Sequence, residues 1–240
     1  MFDLVLKQLA PKGRLRAAIN LSNFLLVTGK EANGDPQGVS PDMAKALANQ
    51  LGVELELISF NRPGELADAI SEDVWDIGNI ANESERAKSI TFSSPYTLIE
   101  STYMVRKSLN INSIKDIDKE GIRIAVAERS AYDLWLTSNI KKAVLKRAKS
   151  IDESFSIFED YKYEVLAGLR PKLVDDLKKT EGCKVLPEAF TFINQSVGSK
   201  PGNIEAEIYI NNFIKKCIEN GLVKKLLLKY DVLGKLTVPK

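Results

Sequence analysis

The chain has 240 residues, room for one large domain or two small ones, and its 44% hydrophobic and 28% charged residues suit a folded globular protein. Its 34 basic and 32 acidic residues nearly cancel, which leaves no electrostatic footprint for nucleic acid. There is no histidine, which excludes Ser–His–Asp and Cys–His catalysis and imidazole metal sites.

In chain order, residues 3–9 read as a short helix stopped by Pro11 and Gly13. Arg14 to Asn20 alternates into an apolar core as a strand, followed by Ser22-Asn23-Phe24 and a Gly/Asn/Asp-rich loop from Gly29 to Gly38. Ser40-Pro41-Asp42 predicts a helix start, with Ser40 as the capping hydroxyl, and Gly52 its end. A strand over 53–60, a helix over 63–70 and a strand over 74–78 follow, so the first hundred residues carry the strand–helix alternation of a parallel sheet.

After an extended segment, 97–106, a second round begins. It comprises strands over 122–127, 143–147 and 165–167, and helices over 131–139, 153–158 and 171–179. The basic residues Lys141, Lys142, Lys146, Arg147 and Lys149 read as a solvated face. Another extended stretch, 189–197, precedes an amphipathic helix over 205–219, continued by 222–229. Trp75 and Trp135 read as core. Cys183 and Cys217, far apart and without CxxC spacing, read as buried thiols, with a disulfide as the alternative.

Two α/β halves joined by two extended crossings make a hinged, two-lobed architecture. The expected lobes are 1–100 with 195–240, and 101–194, and ligand binding is expected at the carboxyl ends of the strands. Met1 to Ala10, interrupted by Asp3 and Lys7, lacks a signal-peptide core, and no run is long and apolar enough to span a membrane. The expected location is extracytoplasmic if a leader has been removed, and cytoplasmic if Met1 is the native start.

The run Gly38-Val-Ser-Pro-Asp-Met-Ala-Lys-Ala-Leu-Ala, then Leu51-Gly-Val-Glu-Leu, Val74-Trp-Asp-Ile, Ser84-Glu-Arg86 and Phe92-Ser-Ser-Pro-Tyr96, resembles the family 3 (amino-acid type) extracellular solute-binding proteins of ABC transporters. The resemblance implies a type II periplasmic-binding-protein fold, no cofactor, no metal, no catalytic residue, a small carboxylate-bearing ligand, an ABC permease partner and a monomer. Arg86 matches the family's arginine, whose planar fork accepts a carboxylate. The segment between Asp76 and Ser84 is about two residues short for the family and carries Asn79 and Asn82, whose amides both donate and accept.

Ser130, Ala131 and Tyr132 occupy the family's anion site at a helix start. Ser22, Asn23, Phe24 and Gln195 stand where that family places further ligand contacts. The family's ammonium-binding acid falls near Leu169, beside Arg170. Either Glu164 or Glu100 then supplies the charge, or the ligand is an acid without an α-amino group, with Arg170 among its contacts. A cyclohexadienyl-dehydratase-like enzyme, with Glu128 or Glu100 as general acid, and a ligand-sensing module are the alternatives on the same fold.

Overall fold

A computed structural model describes residues 2–239. The chain opens with α1 (Phe2–Leu9) and β1 (Arg14–Asn20). The stretch expected to be a loop folds back on itself as a small hairpin, β2 (Gly29–Lys30) and β3 (Pro36–Gln37). Helix α2 (Val39–Leu51) ends on Gly52 in the left-handed conformation, where the absence of a Cβ removes the steric cost.

Its start differs from expectation. The cap is Gly38, and Ser40 lies inside the first turn, its hydroxyl 3.1 Å from that of Tyr96. Gly38 holds φ 154°, and a Cβ there would collide with the Leu26 carbonyl oxygen and sit 2.8 Å from the Val27 Cα. Only glycine lets the hairpin return this close to the helix start.

Next come β4 (Glu54–Phe60), α3 (Pro63–Asp68) and a 3₁₀ turn, then β5 (Ile77–Ala81), β6 (Thr91–Phe92) and β7 (Thr97–Arg106). Strand β5 begins three residues later than the expected 74–78, because Trp75 and Asp76 have other partners. The Trp75 ring is fully buried, with its indole N–H on the Leu66 carbonyl. The Asp76 carboxylate receives the Arg16 backbone N–H and guanidinium.

The chain continues through β8 (Arg123–Ala127), α4 (Ala131–Asn139), β9 (Val144–Ala148), α5 (Ile151–Asp160), β10 (Val165–Leu169), α6 (Arg170–Leu177) and β11 (Cys183–Val185), a three-residue strand that the sequence pattern does not mark. It closes with β12 (Thr191–Ser199), α7 (Ile204–Glu219) and α8 (Leu222–Lys229).

These elements form two compact units, one of residues up to Leu98 together with Asn194 onward, the other Ile99–Ile193. In the first unit β4, β1 and β5 are parallel and β12 closes on β5 antiparallel. The face of Gly78 and Ile80 packs on Leu66 and Trp75, and α2 buries Met43, Leu47 and Leu51. Where β1 begins, Arg16, itself buried, is held by Asp76 and Asp73, and Lys200 also binds the Asp73 carboxylate. The Asp76 hydrogen bonds raise the Arg16 guanidinium pKa, and Lys200 and Arg16 hold the Asp73 carboxyl down at about 2.

In the second unit β9, β8 and β10 are parallel, with β7 antiparallel to β10 and β11 to β7. Its core gathers Met104, Ala125, Phe158, Leu166, Leu173 and Cys183. Trp135 is only half-buried, its ring 5.1 Å from that of Phe190. Both cysteines are buried free thiols, and burial pushes Cys217 up to about 11.

Candidate functional site

In the first unit, candidate residues collect after the carboxyl ends of β1 and β5. The turn after β1 is tied locally: the Ser22 hydroxyl donates to the Asn20 side-chain oxygen at 2.7 Å, and the Asn23 side-chain oxygen accepts the Leu25 N–H. Asn23 is buried. Leu25 and Leu26 are core, but Phe24, between Asn23 and Leu25, stays half-exposed, so its ring belongs to the surface of this unit. On β5, Asn79 is 2% exposed, and neither its amide nitrogen nor its oxygen has a hydrogen-bond partner in the structure. It sits between Ile19 of β1 and Val197 of β12. A buried amide left in this state calls for a polar partner.

Arg86 is buried at 6% exposure on a 3₁₀ turn, where its Nη1 donates to the Ala81 carbonyl at the end of β5 at 3.0 Å. Ala81 pairs with Gln195 of β12, itself buried. The backbone N–H of Asn82 donates to the Asn194 carbonyl. Arg86, Asn79, Asn82 and Gln195 thus share the β5–β12 end of this unit. Glu83 stands among them. Burial pushes its carboxyl up to about 7, against the opposing pull of the Arg86 charge. Only the structure could find this, since desolvation is set by neighbours distant in sequence.

In the second unit Ser130 caps α4, its hydroxyl accepting the Asp133 N–H at 3.1 Å. Arg129, at φ 55°, turns the chain into the helix and donates its N–H to the Asp133 carboxylate. That carboxylate also receives Arg147. The N–H groups of Ala131 and Tyr132 belong to the first turn, where a helix has no internal acceptors for them. Tyr132 is buried, which raises its hydroxyl pKa, and its hydroxyl is hydrogen-bonded with Ser130.

Arg170 has partners within its own unit. Its Nε pairs with Glu100, Nη1 donates to the Leu186 carbonyl at 2.9 Å and Nη2 to the Pro187 carbonyl at 2.8 Å. It braces the segment after β11 against β7. Glu164 is likewise committed, to the backbone and guanidinium of Arg123. Glu100 is the acid beside the carboxyl end of β10, where Leu169 pairs with Ser101. No cluster of metal-ligating side chains and no helix long and apolar enough to cross a membrane occurs among the described residues.

Comparison with known proteins places this geometry in context. The family model of bacterial extracellular solute-binding proteins, family 3, matches residues 22–233. The L-cystine-binding protein TcyJ of Escherichia coli (strain K12) is 26% identical over 204 residues, covering 82% of this chain and 75% of its own. Among solved structures, the solute receptor for L-cysteine of Neisseria gonorrhoeae superposes with a TM-score of 0.76 at 19% identity, over 95% of this chain and 93% of that one. The ancestral amino acid-binding protein AncCDT-1, a precursor of cyclohexadienyl dehydratase, superposes with a TM-score of 0.75 at 24% identity, over 95% and 98%. The chain belongs to the bacterial extracellular solute-binding proteins, family 3, and has their type II periplasmic-binding-protein α/β fold.

Proposed function

We propose that this solute-binding protein takes up an amino acid or a related organic acid and presents it to an ABC permease. The observation that carries this reading is Arg86, a buried guanidinium anchored on the Ala81 carbonyl, with the unpartnered amide of Asn79 on the same strand. A fixed guanidinium receives a carboxylate with little loss of freedom, and a buried amide supplies the directional bond that selects the ligand. In this reading Asn82, Gln195, Ser22, Asn23 and Phe24 complete the contacts of the first unit. Ser130 and the N–H groups of Ala131 and Tyr132 complete those of the second, and movement at the crossings 97–106 and 189–197 closes the protein on the ligand. The names of the relatives, a cystine-binding protein and a receptor for cysteine, support the amino-acid class.

The protein acts by binding, without turnover. Of the acids considered for a dehydratase-like reaction, Glu100 is ion-paired with Arg170 and Glu128 is exposed, so neither is a buried acid poised for proton transfer.

A thermal-shift screen of amino acids, keto acids and aromatic acids tests the reading. One class raises the melting temperature in proportion to the logarithm of ligand concentration, and Arg86→Ala abolishes that shift. The Arg86→Ala variant must retain the ligand-free melting temperature to within a few degrees. No shift with any acid, or an undiminished shift in the variant, refutes the assignment. Turnover of prephenate or arogenate would replace it with the enzymatic reading.

A further inference from the structure

Helix α1 lies on α7 in the first unit through buried Val5 and Leu9. Gln8 fixes the pair: its amide donates to Glu205 at 2.7 Å and accepts the Ala206 N–H at 2.8 Å. The outer side of this pair is apolar. Phe2 and Leu4 of α1 are each 47% exposed, and Ile204 and Ile208, one turn apart on α7, are 62% and 57% exposed. Together with Tyr209, whose ring lies 6.1 Å from that of Phe2, they line a groove of about 650 Å³. Scattered exposed apolar residues need no explanation, but four large ones on one rigid helix pair do.

We propose that this face is the contact between two copies of the chain, related by a two-fold axis. Charge complementarity carries the choice of occupant. Asp3 and Lys7 are exposed one turn apart on α1, symmetric about Val5. When α1 packs antiparallel against the α1 of a second copy, each Asp3 faces the other copy's Lys7, so the surface complements itself as an isologous interface requires. The exposed charges of α7 also cancel, Glu207 against Lys216, with Lys215 paired to Glu219 on the same helix. This balance disfavours an anionic membrane, which attracts an excess of basic residues that the rim does not have.

The area agrees. The four side chains present roughly 400 Å² of apolar surface, and interfaces are a little under 60% apolar, which implies about 700 Å² per copy, at the lower edge of a standard interface. The dimer is therefore weak and reversible, in place of the monomer expected from the sequence.

Sedimentation velocity of the ligand-free chain over roughly 1 µM to 1 mM tests this. A concentration-dependent dimer is expected, with half-association in the range of about 10–500 µM. Ile208→Asp weakens it at least about tenfold with an unchanged melting temperature. Should that variant unfold, Ile204→Asp at the more exposed position makes the same test. Asp3→Lys and Lys7→Asp each weaken the dimer, and the two together restore it. A chain that stays monomeric to about 1 mM overturns the proposal, and so does a dimer indifferent to Ile208→Asp or a charge swap that fails to restore association. Flotation of the monomer with vesicles of phosphatidylcholine and phosphatidylglycerol overturns it in favour of a membrane contact.

Discussion

Replacing Asp76 with alanine should be among the most damaging single changes in the first unit. The Asp76 carboxylate, 1% exposed, accepts three bonds from one residue: the Arg16 N–H at 3.0 Å, Nε at 3.0 Å and Nη2 at 2.6 Å. Arg16 is itself 4% exposed, so Asp76→Ala leaves a guanidinium buried with only the partial compensation of Asp73, which is exposed and shared with Lys200. Removing one partner of a buried ion pair costs about 3–5 kcal/mol, far more than the pair contributes over an apolar replacement. Asp76→Leu with Arg16→Met removes the charge as well as the acceptor and should recover more than half of that loss.

Each unit contains one tryptophan, Trp75 in the first and Trp135 in the second, so a Trp135→Phe background reports the first unit alone during urea unfolding. The unfolding free energy of that transition should fall by about 3–5 kcal/mol in Asp76→Ala. A loss below about 1 kcal/mol would show that Asp73 is the true counter-charge of Arg16. A double variant no better than Asp76→Ala would show that the loss is one of packing, and either result refutes the reasoning.

Two further outcomes follow from the same unit. Gly38→Ala forces a Cβ against the Leu26 carbonyl oxygen at a φ that side chains rarely adopt, and should lower stability by about 2–4 kcal/mol in denaturant unfolding; a loss under 1 kcal/mol would mean that the hairpin relaxes freely. Glu83 is raised in the folded state to about 7, so its contribution is full below its ordinary value near 4.5 and is lost as pH rises towards 7, where the buried carboxylate must ionise. Glu83→Gln should therefore flatten the stability profile between about pH 4.5 and 7 and gain about 1–2 kcal/mol at pH 8. A profile unchanged by the substitution places the desolvation elsewhere.

What was legible in the sequence had a local cause. Strand β1 and helices α4 and α8 announce themselves by alternation, capping and breakers within their own residues, and Gly52 ends α2 because only a residue without Cβ turns there at low cost. The order and spacing of the stretches quoted from Gly38 to Tyr96 resembled the family, and the comparison with its model agreed. Arg86 and Ser130 could be singled out because each stands in a short word, an arginine after Ser-Glu and a hydroxyl before a helix. Ser40 looked like the same kind of word and was not one, because Gly38 already makes the cap.

Tertiary structure decided whatever depends on residues far apart in the chain. Strand β5 starts at Ile77 because its ladder partners, Ala17 and Ser199, begin there, while Asp76 is held by Arg16 sixty positions away. Arg170 has the chemistry of a ligand contact, and the carbonyls of Leu186 and Pro187 and the carboxylate of Glu100 hold its guanidinium. Asn79 without a partner, Glu83 raised towards neutrality and the apolar side of α1 and α7 have no signature in a linear pattern. The sequence alone determined the family and the chemical types available to it. Which of those groups are buried, paired or exposed was decided by packing, since desolvation and ion pairing act through space.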